Sequence, residues 1–198
     1  MKPEMSQSVS ELEKIETLGE LDDWKRNHEL SADLIQGIGA RLQDLLTVDP
    51  KAALRLSEWM ISLALETGEL PLKGLALRAR GNALATADDY LQSMEYFDEA
   101  LKVFNQLGDE LEVARTMMNR VVAYFRLSRF DEALADADRV TGMFEKLGDD
   151  RRLARHFVNI GNIYFRLDRF AENLEMLDRA EAILSRINDQ KSLCWVYV

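Results

Sequence analysis

Tyr124-Phe125-Arg126-Leu127-Ser128-Arg129-Phe130 is followed, 40 residues on, by Tyr164-Phe165-Arg166-Leu167-Asp168-Arg169-Phe170. Leu107-Gly108-Asp109 returns at the same distance as Leu147-Gly148-Asp149, more loosely as Ile187-Asn188-Asp189, and in the other direction as Thr67-Gly68-Glu69. Laid without a gap on 147–186, residues 107–146 match at 16 of 40 positions. Residues 67–106 match less often, but keep Gly81-Asn82 on Gly161-Asn162 and Ala100 on Ala180. A fixed period in this range marks a stacked array of small units and outranks any local motif.

Each unit reads as two helices. Leu153, Ala154, Phe157, Ile160, Gly161, Tyr164 and Leu167 recur at spacings of three and four, which is one apolar helix face. Asp168-Arg169 interrupts it, and Phe170, Leu174, Leu177, Ala180, Ile183 and Leu184 resume it. Neither helix can bury that face alone, so the two pair and each pair stacks on its neighbours. The expected fold class is all-α, a right-handed α-solenoid of helix-turn-helix repeats. Tyr124, Phe130, Phe157, Tyr164 and Phe170 are expected to be its largely buried stacking aromatics. The expected units are 30–66, 67–106, 107–146 and 147–186. Asp49-Pro50 supplies an N-cap and a first-turn proline for a second helix at 50–66. Ser10-x-x-Glu13 reads as a capping box opening a covering helix at 11–27 within the segment 1–29. Residues 187–198 read as the start of a cut fifth repeat, with Leu193, Trp195 and Tyr197 packing back on the preceding helix.

Phe157-x2-Ile160-Gly161-x2-Tyr164 resembles the W-x2-L-G-x2-Y signature of tetratricopeptide (TPR) repeats. Asn173 stands where that pattern has alanine, and Arg120-Val121 where it has Leu-Gly. The Gly-Asp turn in place of a terminal proline points to the 40-residue variety. Asp49-Pro50-x2-Ala53-Leu54-Arg55-Leu56, Ala76 to Leu84 and Arg166 to Phe170 resemble N-terminal TPR arrays of bacterial CHAT-domain (caspase-like) proteins. Similar 40-residue arrays occur in peptide-sensing bacterial regulators and in cell-polarity adaptors. The resemblance implies that first helices line a concave groove and second helices form a convex back.

Composition narrows the functions. A chain of 198 residues with 47% hydrophobic and 30% charged residues is a folding chain, and its net charge of −10 argues against nucleic-acid or anionic-membrane binding. Cys194 alone makes no disulfide framework and fits a cytoplasmic setting. His28, in a polar connector, is expected to be solvated, and His156, beside Phe157, to lie on the surface or between helices. There is no P-loop, G-x-G-x-x-G, H-E-x-x-H or C-x-x-C string, so no enzyme, cofactor or metal site is expected. The carboxylate pairs Asp22-Asp23, Asp88-Asp89 and Asp149-Asp150 are expected to cap helices.

Charge sorts by helix. Arginines crowd the first helices of the units, while acids such as Glu95, Asp131, Asp138, Glu175 and Asp178 crowd the second. Arg155, Asn159, Asn162 and Arg166 form one stripe, Arg115, Asn119 and Arg126 repeat it, and Arg78 and Asn82 continue it in part. Asparagine bonds both polar groups of an extended backbone, and arginine binds a carboxylate through two parallel bonds. These nine residues are the expected site for a protein or peptide partner, an acidic one, on a scaffold or sensor arm that regulates an attached effector. The alternative is self-association through the array ends, the C-terminal end above all, or through the convex face.

Overall fold

The computed structural model describes residues 3–197, with the side chains of Ser6–Cys194 and Val196. Among the described residues there is no strand. The chain divides into two compact units, Met1–Gly108 and Asp109–Val198.

The first unit holds α1 (Pro3–Leu12), α2 (Leu18–Arg26), α3 (Ala32–Val48), α4 (Pro50–Thr67), α5 (Leu70–Thr86) and α6 (Tyr90–Leu107). The expected single helix over 11–27 is instead two helices. Thr17 makes a capping box with Glu20 and opens α2, whereas Ser10 lies inside α1. The break lets Glu13 turn back: its carboxylate takes Arg41 at 2.6 Å and its carbonyl accepts from Arg55 at 2.9 Å. Val9, Leu12, Ile15, Leu21 and Trp24 join one core with Ile35, Ile38, Leu56 and Leu63. His28 is not solvated. It stacks on Trp24 at 4.1 Å and lies half-buried, with its Nε2 3.2 Å from Glu11. Asp49 caps α4 as expected, accepting from the Ala52 N–H at 3.0 Å.

The second unit holds α7 (Glu110–Arg126), α8 (Phe130–Leu147), α9 (Asp150–Arg166), α10 (Phe170–Arg186) and the four-residue α11 (Cys194–Tyr197). The helices pair as α7 with α8 and α9 with α10, and α8 packs on α9. Phe144 and Phe157 are fully buried. Asp109 and Asp149 cap α7 and α9, while Asp189 accepts from the Ser192 N–H before the short turns that lead to α11. α11 touches α9 and α10; Leu193 is half-buried, and the expected packing of the Trp195 and Tyr197 side chains lies outside the described residues.

Turns recur twice per repeat. Gly68, Asp88, Gly108, Ser128, Gly148, Asp168 and Asn188 all take positive φ, between 54° and 70°, at a strict interval of 20 residues. Left-handed backbone is easiest for glycine, and Asn and Asp tolerate it through local hydrogen bonds. Asp88 and Asp168 are therefore turn residues rather than caps, and Asp22 and Asp23 lie inside α2, paired with Lys25 and Arg26.

Packing inside the hairpins trades volume along the repeat. A Cβ on Gly81 would come 2.5 Å from the Phe97 ring, so that glycine is what admits the ring. Forty residues on, the same two positions are Val121 and Ala137, both buried. At Gly161 the space is taken by Asn173, whose amide donates to the Gly161 carbonyl at 2.8 Å. The departures from the TPR pattern thus compensate one another.

Not all expected aromatics are buried. Phe157 is, but Tyr124, Tyr164 and Phe130 are half-buried and Phe170 is 53% exposed. The helix of Phe130 has α9 packed on it, whereas among the described residues no further helix pair stacks on α10.

Candidate cleft between first helices

Within the second unit α7 and α9 touch, and an open cleft of about 180 Å³ runs between them. Val121, Val122, Phe125 and Arg126 line it from α7, Asn159 and Asn162 from α9. Helical geometry places these residues together: 122, 125 and 126 lie within one turn, as do 159 and 162. Val121 is fully buried and Phe125 half-buried, so the cleft has an apolar floor; Arg126 and Asn162 are exposed, and Asn159 is half-buried at its edge.

The structure divides the expected stripe. Arg126, Asn159, Asn162 and Arg166 make no side-chain hydrogen bond or ion pair among the described residues. Arg115 is paired to Glu112 on its own helix, and Asn119 and Arg155 also have interactions within the protein. Arg78 and Asn82 lie on α5 of the first unit; Arg78 is only 9% exposed, so its guanidinium is not an open surface. The stripe is thus concentrated at the C-terminal halves of α7 and α9. Val122 and Phe125 were not singled out by the sequence. Phe125 stands in the most strongly repeated string, between Tyr124 and the polar Arg126, and its exposure depends on what covers it.

Many other arginines are structural. Arg120 takes Asp136 at 2.7 Å, both nearly buried, and lies over the Tyr124 ring at 5.8 Å. This explains why the TPR leucine position tolerates arginine here. Arg129 and Arg169 each lie between a tyrosine face, at 4.7 and 4.5 Å, and the glutamate three residues on. That hydrogen bond holds the Glu132 and Glu172 carboxyls below the usual range.

His156 is an interhelical residue. It is fully buried in α9, with Nε2 2.9 Å from the Ala137 carbonyl of α8 and the ring edge-on to Phe144. Nε2 therefore carries the proton and donates. Burial pushes its pKa down to about 4, so the ring is neutral near pH 7. Among the described residues no cluster of three His, Cys, Asp or Glu could hold a metal, and no helix is long and apolar enough to cross a membrane.

A guanidinium and two primary amides over an apolar floor can take a carboxylate and the backbone of an extended chain. That capacity sits on a known repeat. The family model for the tetratricopeptide repeat matches residues 72–146 and 112–186. The chain belongs to the tetratricopeptide repeat family. None of the functionally curated proteins matches it. Among solved structures, a Rap protein complexed with Competence and Sporulation Factor superposes with a TM-score of 0.75 at 12% identity, over 98% of this TPR chain and 53% of that one. Aspartyl phosphate phosphatase F from Bacillus subtilis gives 0.75 at 12%, over 96% and 52%. A signal transduction ATPase with a tetratricopeptide repeat sensor from Pyrococcus horikoshii gives 0.63 at 14%, over 98% and 31%. The TPR chain thus spans about half the length of the first two and a third of the last, and at these identities the likeness is one of fold.

Proposed function

We propose that this TPR chain is a non-enzymatic interaction module whose α7–α9 cleft takes an extended, carboxylate-bearing peptide segment and thereby regulates an attached effector. The observation that carries the reading is the unspent polar row Arg126, Asn159, Asn162 and Arg166 beside the apolar floor of Val121, Val122 and Phe125. An acidic ligand is drawn to this row and repelled by the exposed Asp131, Asp138, Glu175 and Asp178 on α8 and α10. Each solvated ionic contact contributes about 0.2–1 kcal/mol, so affinity is shared among several contacts and falls with salt. The sensor regions named among the similar structures, and the sequence resemblance to TPR arrays of CHAT-domain proteins, support an arm that reports to another domain. On this reading 30–66, 67–106, 107–146 and 147–186 are the repeats, 1–29 covers one end, 187–198 opens a further unit, and the module works in the cytoplasm without cofactor.

The test is selection of peptides on the chain from a random displayed library. Acidic or free-carboxylate sequences should be enriched, and the double variant Arg126→Glu, Asn162→Ala should bind them about tenfold or more weakly, a loss of about 1.4 kcal/mol, at an unchanged melting temperature. Selected peptides that bind the double variant as tightly as the parent would refute the cleft. A second reading, self-association, is favoured by a different surface.

A further inference from the structure

The two hairpins of the second unit carry the same surface in different states. On α7–α8, Phe125, Phe130 and Leu134 are half-buried, because α9 packs on both helices of that hairpin. At the same positions on α9–α10, Phe165 is 57%, Phe170 53% and Leu174 60% exposed. Phe165 and Phe170 meet edge to face at 5.6 Å, and Leu174 stands one helical turn beyond, so the three make a contiguous apolar strip. The turn after α10 leaves this strip open, since Arg151 ties Asp189 at 2.7 Å to the opposite end of the hairpin. Contiguous exposed apolar surface of this kind marks an interaction site.

Charge says what fits it. The strip is basic at one end, at Arg166, and acidic at the other, at Glu175 and Asp178; all three are exposed and make no side-chain contact among the described residues. Leu174 stands four residues from both Phe170 and Asp178, about 6 Å along the axis in each direction. A strip with opposite signs on either side of an apolar centre is complementary to itself turned end for end.

We propose that this strip binds the same strip of a second copy of the chain, the two α10 helices antiparallel about a two-fold axis at Leu174. Each Asp178 then faces the turn that carries the other copy's Arg166, and the Phe165, Phe170 and Leu174 side chains of both copies close the centre. The contact does not use Arg126, Asn159 or Asn162, so it stands independently of the cleft.

Sedimentation equilibrium over a wide concentration range tests it. The chain should dimerise reversibly, and Leu174→Glu should weaken dimerisation by about tenfold or more. Arg166→Glu and Asp178→Arg should each weaken it, and the charge-swapped double variant should recover most of the loss. Leu174, Arg166 and Asp178 are exposed, so far-ultraviolet circular dichroism should be the same for all forms; the charge swap decides the matter by itself should Leu174→Glu disturb the helix. A monomer at every concentration would overturn the proposal and leave the strip to a helix of another protein. A dimer indifferent to Leu174→Glu, or a double variant no stronger than either single one, would overturn it as well.

Discussion

The two units of this chain share a backbone rhythm and differ in how polar residues are used. In the second unit the same devices return after 40 residues. Lys146 to Glu110 and Arg186 to Asp150 each tie the end of a second helix to the start of its first, at 2.7 and 2.9 Å. Arg129 and Arg169 each join a tyrosine face to a glutamate. In the first unit the polar bonds occur once each. Arg55 reaches the Glu13 carbonyl, Trp59 the Ile15 carbonyl at 3.3 Å, and Arg80 the Leu54 carbonyl at 2.6 Å and the Ser57 hydroxyl at 3.1 Å. These bonds satisfy buried carbonyls where the chain breaks between α1 and α2 or where α5 crosses α4. A repeat is visible in sequence where its contacts repeat, and fades where polar side chains are committed to single local bonds.

The largest expected effect lies in the regular unit. Phe157 is 1% exposed and its ring carries Arg179 at 4.0 Å, so Phe157→Ala should cost about 3–5 kcal/mol in urea unfolding. Phe170→Ala, at an exposed position of the same hairpin, should cost a small fraction of that. Equal losses would mean that the exposed strip is buried in solution.

Next comes pH, which should act on the two histidines differently. His156 has a folded pKa of about 4 against 6.5 unfolded, so as pH falls the unfolded chain takes up its proton first. The stability is complete above pH 6.5 and is lost between 6.5 and 4, by roughly 3 kcal/mol. His156→Gln should flatten that part of the stability curve. An unaltered slope would place the imidazole in water.

A smaller effect compares the glycines. Gly81→Ala drives a Cβ to 2.5 Å from the Phe97 ring and should cost about 1–3 kcal/mol. Gly161→Ala meets only the movable Asn173 amide, at 3.1 Å, and should cost less. The reverse order would mean that positions 81 and 97, and their counterparts 121 and 137, do not exchange volume.

Much of this fold was legible in the residues themselves. Asp49-Pro50 marked the start of α4, and the Tyr-Phe-Arg-Leu string marked the ends of α7 and α9, because capping and helical periodicity are local. The left-handed turns at Asp88, Ser128 and Asp168 were not legible, since three polar residues share one conformation set by the closing of the hairpin. The site was legible in part. The Arg/Asn spacing found Arg126, Asn159 and Asn162, but spacing alone could not tell them from Arg115, whose charge is taken by Glu112, or from Arg78, which is buried. Which charges remain unspent depends on neighbours across helices, and that is tertiary information.

If the unspent row on α7 and α9 is the working surface of the module, a bound peptide must be felt there before anywhere else. Titrating a selected acidic peptide into isotopically labelled protein, and following the side-chain amides of Asn159 and Asn162 with the Arg126 guanidinium by NMR, tests this most directly. These signals should move first and saturate together, with the backbone of 121–126 and 159–166, while α8 and α10 stay still. Shifts confined to α8 and α10, with the three side chains unmoved at saturation, would contradict it.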